Sequence, residues 1–497
     1  MLRKIRITLA ILSILMVTAL FLDFTGSIHK WLGWIADIQF LPALMALNVG
    51  IVVFLLLLTL VFGRVYCSVI CPLGIFQDIV SWLSGRRKKK KYRFGYSPAH
   101  TRLRLGILIL FVIAAIAGIG SFVALMAPYS AYGRIVQNLF SPVYIWFNNI
   151  LAYFAERAGS YSFYHRDVWI RSIPVFIVAL VTFIVIAILA WRGGRTYCNS
   201  VCPVGTLLGA ISRFSWLRPV INTDKCVNCG LCAKGCKASA INPKEHKIDY
   251  TRCVACMDCL EECHTGAISY TSKRTANETS VKGADSLKND GRRLFMAGAA
   301  GAIGSAVVYG ARKKVDGGLA IIEDKKLPER HTPLVPAGAL SLNHLRQHCT
   351  GCQLCVSVCE NEVLRPSSDL QSLMQPVMEF DRGYCRPECT ACGDVCPAGA
   401  IKPVSQIDKS SIQVGHAVWV ANNCIVTTDD VECGNCARHC LVGAITMVPS
   451  DPSDKDSKKI PAINENCCIG CGACENLCPA RPFSAIYVEG HERHKTI

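Results

Sequence analysis

Four stretches of the chain are almost continuously apolar, and they set its plan. They predict membrane-spanning helices over Ile7–Leu22, Pro42–Phe62, Leu105–Met126 and Ile173–Trp191. Each approaches the ~20 residues a helix needs to cross a hydrocarbon layer of ~30 Å. Buried core helices are the competing reading, and the flanking charges argue against them. From about Leu217 the pattern changes. Groups of cysteines now recur, and the last of a group is followed four residues on by a small or β-branched apolar residue in five of six cases. Four of these read Ala-Ile: Ala240-Ile241, Ala267-Ile268, Ala400-Ile401 and Ala444-Ile445. Short strands beside short helices fit that repeat.

Basic residues orient the apolar part. Met1-Leu2-Arg3-Lys4-Ile5-Arg6 and the run Arg86-Arg87-Lys88-Lys89-Lys90-Lys91 belong on the cytoplasmic side. No small-residue cleavage site follows the first segment, so it reads as an anchor rather than a signal peptide. Four crossings return the chain to the inside near Arg192, and the 127–172 loop faces the periplasm, where Tyr144 and Trp146 suit an interface. A polar linker follows Ser272 and leads into Gly291-Arg292-Arg293-Leu294-Phe295-Met296 and an Ala/Gly-rich stretch to Gly310. This predicts an internal twin-arginine export signal. The competing reading is a cytoplasmic linker helix, and Arg312, Lys313 and Lys314 would lie outside against the positive-inside trend. The expected division is therefore 1–216, a four-helix membrane domain; 217–272, a cytoplasmic two-cluster domain; 273–311, linker and export helix; and 312–497, a periplasmic four-cluster domain. The predicted fold class is a polytopic α-helical membrane domain plus α+β ferredoxin-like [4Fe–4S] modules.

Composition adds two constraints. The chain has 29 cysteines among 497 residues and a net charge of +17. Tight groups of four cysteines point to metal clusters rather than to a disulfide scaffold. The positive charge concentrates in a membrane loop, so nucleic acid is not an expected partner.

The first soluble stretch carries Cys226, Cys229, Cys232, Cys236 and then Cys253, Cys256, Cys259, Cys263, both spaced Cys-x2-Cys-x2-Cys-x3-Cys. Soft thiolates hold iron, and the x2 steps let one tight loop present three sulfurs. The fourth cysteine of such a group ligates the other cluster. Cys263 is thus expected with Cys226, Cys229 and Cys232, and Cys236 with Cys253, Cys256 and Cys259. Zinc is the poorer reading, because its sites typically use two separated pairs. The second stretch carries Cys349, Cys352, Cys355, Cys359; Cys385, Cys389, Cys392, Cys396; Cys424, Cys433, Cys436, Cys440; and Cys468, Cys471, Cys474, Cys478. Spacing leaves open which of these four groups pair. Cys467 is left over. Six groups predict six [4Fe–4S] clusters, with these 24 cysteines as the iron ligands.

Two strings after the second and fourth apolar segments share the pattern Gly-Arg-x-Tyr-Cys-x3-Cys-Pro-x-Gly: Gly63–Gly74 and Gly194–Gly205. They suggest duplicated halves whose pseudo-twofold brings Cys67, Cys71, Cys198 and Cys202 together at the cytoplasmic face. These four are the candidate catalytic set. Three readings stay open: a further metal or iron–sulfur centre, redox-active thiols or a quinone pocket, and plain packing.

Residues 1 to about 272 resemble the membrane polyferredoxins of the NapH, NosR and CcoG type, through the two Cys-x3-Cys-Pro strings and the double cluster motif. From Arg292 onward the chain resembles NapG, so the whole looks like a fusion of the two. The resemblance implies oxidation of (mena)quinol from the quinone pool and electron delivery to a periplasmic reductase or electron carrier, from the bacterial inner membrane. A flavin-attachment Thr motif of the NosR kind is missing. Haem is not expected: the four apolar segments contain no His, and no Cys-x2-Cys-His occurs. Gly298, Gly301 and Gly304 lie in the apolar export stretch and do not make a dinucleotide fingerprint.

These observations predict an iron–sulfur relay from quinol, or a cytoplasmic donor, to a periplasmic redox partner. Two other classes compete: a metal reductase serving the assembly of a respiratory oxidase, and a redox-sensing regulator. The long multi-cluster tail favours the relay.

Overall fold

The computed structural model describes residues 1–87, 94–272, 324–454 and 457–497. The export motif at Arg292 and Arg293, and all of 273–311, lie outside the described residues.

Leu2–Leu22 and Ile173–Gly193 are single helices of 21 residues, long and apolar enough to cross a membrane by length and composition. The other two expected spans are interrupted. Pro42–Phe62 divides into Phe40–Met45 and Val49–Phe62. Leu47 takes a φ of 54°, and Asn48 caps the second piece by accepting from the Ile51 amide at 3.3 Å. Leu105–Met126 divides into Thr101–Ile116 and Gly120–Met126 at Gly118, whose φ is 73°. At 1.5 Å per residue the longer pieces reach only about 21 and 24 Å. The breaks fall in the second and third segments, and the short pieces fold inward, burying Phe40, Leu41, Val123 and Ala124. Apolar periodicity is blind to such a break, because both fragments stay apolar. Hence four uninterrupted spans are not observed among the described residues.

The halves match beyond their sequence strings. Each long helix ends at a glycine with positive φ, Gly63 at 69° and Gly194 at 67°, a backbone state that side chains rarely adopt. A one-turn helix carries the first cysteine, Val65–Val69 or Thr196–Ser200. A second helix then opens with proline, Pro72–Arg87 or Pro203–Ser212. The packing is exchanged: Pro72–Arg87 lies on Ile173–Gly193, and Pro203–Ser212 lies on Val49–Phe62. The outward faces stay apolar, with Leu12, Leu15, Phe54, Leu57, Ile109, Ile113, Ile177 and Ile184 all exposed.

The cysteine-rich parts are built from short helices and two-stranded antiparallel sheets, as the repeat predicted. In the first module Leu217–Ile221 pairs with Ile268–Ser272. The second contains Leu364–Pro366 with Pro376–Met378, Ile412–Trp419 with Ile486–Thr496, and Ile445–Pro449 with Lys459–Ile463.

The two modules dock at opposite ends of the first helix. Arg3 at its start reaches Asp258 of the first module at 2.9 Å. Phe21 at its end packs on Tyr129, ring centroids 5.5 Å apart, and Gly133 lies against the Cys352 carbonyl of the second module. Twenty-one residues place these ends about 31 Å apart. Trp169 fastens the second module further, held between the Arg365 and Arg382 guanidinium groups at 4.5 and 4.3 Å.

Candidate electron-transfer centres

The structure gathers the 24 expected ligands into six quartets. Cys263 joins Cys226, Cys229 and Cys232 around one void, and Cys236 joins Cys253, Cys256 and Cys259 around another. In the second stretch, too, the fourth cysteines stand against the other group of their pair. Cys396 lies within electrostatic reach of Cys349, Cys352 and Cys355, and Cys359 of Cys385, Cys389 and Cys392. Cys478 shares a void with Cys424, Cys433 and Cys436, while Cys440 belongs with Cys468, Cys471 and Cys474. Groups one and two therefore exchange fourth cysteines, as do groups three and four. Cys467 is exposed and outside every quartet.

Local chemistry fits iron–sulfur groups. Among the described residues no three His, Cys, Asp or Glu side chains converge as on a single metal ion. The quartets are open cages of the kind a larger, sulfur-bridged group fills. Burial pushes the Cys352 and Cys471 thiols up to about 11. Bound iron would offset that cost, since a coordinated thiol is deprotonated outright. Main-chain amides aim at the sulfurs: Ala444 at Cys440 (3.2 Å), Ile401 at Cys396 (3.4 Å) and Ala485 at Cys478 (3.3 Å). These contacts explain the small residue four positions after the last cysteine. The chain must turn tightly over the sulfur, and Ala240, Ala267, Ala400 and Ala444 are all buried there.

Cys67, Cys71, Cys198 and Cys202 also come together, buried in the middle of the helical domain. The strings were expected at the cytoplasmic face. They lie against the first cluster module, with the Arg195 amide donating to the Lys237 carbonyl at 2.9 Å and Arg64 to the Thr251 carbonyl at 3.0 Å, and Ser13 of the first helix hydrogen-bonds the Ile70 carbonyl. The two arginines cross the pseudo-twofold. Arg64 donates to the Cys198 carbonyl at 3.3 Å, and Arg195 donates to the Cys67 carbonyl at 2.6 Å. Gly74 and Gly205 make room, since a Cβ on either would collide with that carbonyl and guanidinium. Arg64 Nη2 lies 3.8 Å from the Cys67 sulfur, and Gln77 donates to the Cys198 sulfur at 3.1 Å. Arg64 is fully buried and has no carboxylate partner among the described residues. A buried cation needs an anion. Its neighbours here are the Thr251 and Cys198 carbonyls, the Asn199 side-chain oxygen and the Cys67 sulfur.

Sequence reasoning missed the charges beneath. Asp78 takes Arg195 at 2.7 Å, Arg6 at 3.0 Å and Lys237 at 3.1 Å, and Lys237 continues to Asp258 at 3.0 Å. Burial works against the Asp78 carboxylate, yet Arg195 and then Lys237 hold it well below the usual carboxylate range. These residues are far apart in sequence, and the only local signal was a single acid in the helix Pro72–Arg87. Replacing Asp78 by Asn should destabilise the fold by roughly 3 kcal/mol, the low end for a broken buried pair, because Arg195 and Lys237 keep other partners. Thermal unfolding of the detergent-purified chain reads this, and an unchanged midpoint would mean the lattice contributes nothing. The sign is fixed: a depressed carboxylate stabilises above its unfolded-state value, and that contribution is lost as pH falls.

The seven sets of cysteines form a series. Arg64 links the central four to Cys253. On the other side Tyr129 lies within electrostatic reach of both Tyr66 and Cys352, and Arg134 of both Tyr197 and Cys352. Beyond, Cys392 is within reach of Cys355, and the Cys385 amide donates to the Cys471 carbonyl at 2.9 Å.

Family comparisons agree with these cages. A 4Fe-4S dicluster domain matches 348–400 and 431–481, one 4Fe-4S binding domain matches 219–242, and another matches 44–91 and 175–222, the segments that hold the Cys-x3-Cys-Pro strings. The chain is a multi-cluster, ferredoxin-type electron-transfer protein. It is 28% identical over 283 residues to an uncharacterised protein of Methanocaldococcus jannaschii, covering 56% of this chain and 90% of that one. It is 27% identical over 149 residues to the ferredoxin-type protein NapF of Escherichia coli, covering 30% of this chain and 82% of NapF. The ferredoxin-type protein NapG of Escherichia coli is 28% identical over 153 residues, covering 29% of this chain and 65% of NapG. No solved structure matches.

Proposed function

We propose that this protein relays electrons across a membrane, from quinol on one route or a cytoplasmic donor on another, to a redox partner outside. The observation that carries the reading is the series: cysteine sets run from one end of the helical domain, through its buried centre, to the other. Bound in the six quartets, iron–sulfur clusters would supply one-electron carriage. The chain's own part is to order the thiolates, cover them with amides and keep water out. Oxidation of one hydroquinone to quinone releases two electrons and two protons, so its donor site needs single-electron acceptors nearby.

The membrane reading rests on the two long apolar helices and on the exposed apolar side chains around the helical domain. It places the first module in the cytoplasm of a multi-pass inner-membrane protein and the second in the periplasm, since they sit at opposite ends of the first helix. The paired halves with broken helices, and the Cys-x3-Cys-Pro strings, support kinship with the NapH, NosR and CcoG type, fused to a NapG-like tail. In this reading Cys67, Cys71, Cys198 and Cys202 lie on the electron path, and Arg64 and Arg195 balance their charge. A single-ion metal site is disfavoured there, because the thiols do not converge on one point.

Topology gives a direct check. A reporter fused after Ile497 should read periplasmic. Changing Arg292 and Arg293 to Lys should strand it inside while the helical domain still inserts. A cytoplasmic reporter on the unaltered chain would end the export hypothesis.

A further inference from the structure

The short helix Gln406–Ser411 of the second module is inside out. Its one buried residue is Lys409, 8% exposed, while Ile407, two positions earlier, is 85% exposed. Isoleucine is among the residues most often inside, and lysine is almost never buried unless paired. Such an inversion costs free energy unless the buried group is a cation with partners of its own.

Those partners are a cysteine loop. Lys409 Nζ donates to the Cys385 sulfur at 3.3 Å, to the Arg386 carbonyl at 2.6 Å and to the Cys389 carbonyl. An ammonium has three N–H donors, and this loop takes all of them. None of the three acceptors is a carboxylate. The loop is also irregular. Its group has three residues in the first gap, where the other groups of the second module have two, eight and two. The Arg386 and Cys389 carbonyls, from the start and the end of that gap, converge on the lysine.

The charge reaches the cage. Lys409 lies within electrostatic reach of Cys385 and Cys392, and Arg171 within reach of Cys359 of the same quartet. Among the described residues Lys409 is the one charged side chain that hydrogen-bonds a sulfur of the six quartets. The adjoining quartet is surrounded differently. Cys474 lies within reach of Glu475, and Cys468 of Glu465. Glu475 pairs with Arg330 at 2.6 Å. The two quartets touch where the Cys385 amide donates to the Cys471 carbonyl at 2.9 Å.

Adding one electron to a thiolate-bound cluster makes its charge more negative by one. An ammonium fixed on a ligand sulfur therefore favours the reduced form, since cluster potentials follow net charge and hydrogen bonds to sulfur. We propose that Lys409 is a positioning residue for electron transfer. Its charge makes the cluster of Cys359, Cys385, Cys389 and Cys392 the preferred resting place of an electron over the adjoining cluster of Cys440, Cys468, Cys471 and Cys474. The electron arrives from the neighbouring cluster of Cys349, Cys352, Cys355 and Cys396, and no bond breaks. This rests on the reading that clusters fill these quartets, and not on quinol or on topology.

The test uses the full chain, purified anaerobically in detergent with its iron, in a dithionite titration followed by electron paramagnetic resonance. Cys359→Ala with Cys385→Ala removes the cluster in question, so the reduction step missing from that variant is the one to follow. In Lys409→Met this step should move to lower potential by about 59 mV, a tenfold fall in the reduced-to-oxidised ratio for one electron. The other steps should stay in place. Lys409→Arg keeps the charge and should hold the step near its parent position. Should Lys409→Met lose about four iron atoms, Lys409→Gln decides, because it keeps a donor without the charge. An unmoved step in an iron-replete neutral variant overturns the proposal. So does loss of those irons from both neutral variants, since the lysine is then a structural tie. Cys440→Ala with Cys468→Ala marks the adjoining cluster's step, which should lie at the lower potential; the reverse order also overturns the proposal. A Cys359→Ala, Cys385→Ala chain that loses neither iron nor a step would bring down the cluster reading of this quartet as well.

Discussion

Replacing Cys67 and Cys198 together by Ser should stop quinol-derived electrons from reaching residues 217–272. The two modules sit at opposite ends of a 21-residue helix, and about 31 Å separates those ends. The central four cysteines are the only sulfur ligands between them among the described residues, and they are linked to each side, through Arg64 to Cys253 and through Tyr66 and Tyr129 to Cys352. Serine keeps the volume of the site but gives up the soft sulfur that binds iron or undergoes thiol redox change. Insertion and iron content of the six quartets should therefore survive. Spin integration after menaquinol addition should find the two clusters of the first module still oxidised, with those of the second module reduced. If both modules reduce at the parent rate, the central cysteines are packing residues and the relay does not pass through them.

The second large effect concerns cofactor load and the exchange of fourth cysteines. The anaerobically purified chain should carry about 24 iron atoms, four for each of six quartets. Double variants read the pairing. Cys359→Ala with Cys385→Ala strikes one quartet and should remove about four iron atoms, whereas Cys359→Ala with Cys349→Ala strikes two and should remove about eight. Uncrossed groups would reverse these losses. A parent load near eight would mean that the C-terminal groups hold something else.

Much of the chemistry was legible in the sequence because it is local. A Cys-x2-Cys-x2-Cys run places three sulfurs with one loop, and no distant residue needs to help. The amide that caps the fourth sulfur is likewise near in sequence, four residues away at Cys440 and seven at Cys478. The exchange within 217–272 was readable too, since both groups there have the standard spacing. The duplicated strings announced two halves and the meeting of four thiols.

The tertiary structure decided what depends on distant parts of the chain. Pairing among the four C-terminal groups needed the fold to bring together cysteines about 50 residues apart, such as Cys424 and Cys478, and irregular gaps such as Cys424 to Cys433 concealed it. The broken helices were invisible to hydropathy, since a break at Leu47 or Gly118 changes direction without changing polarity. Asp78 gathers Arg6, Arg195 and Lys237 from three separate elements, and only their packing reveals that they share one carboxylate. A sequence states which side chains are available locally. Which of them share a low-dielectric space is settled by the fold, where an unpaired charge or amide costs the most.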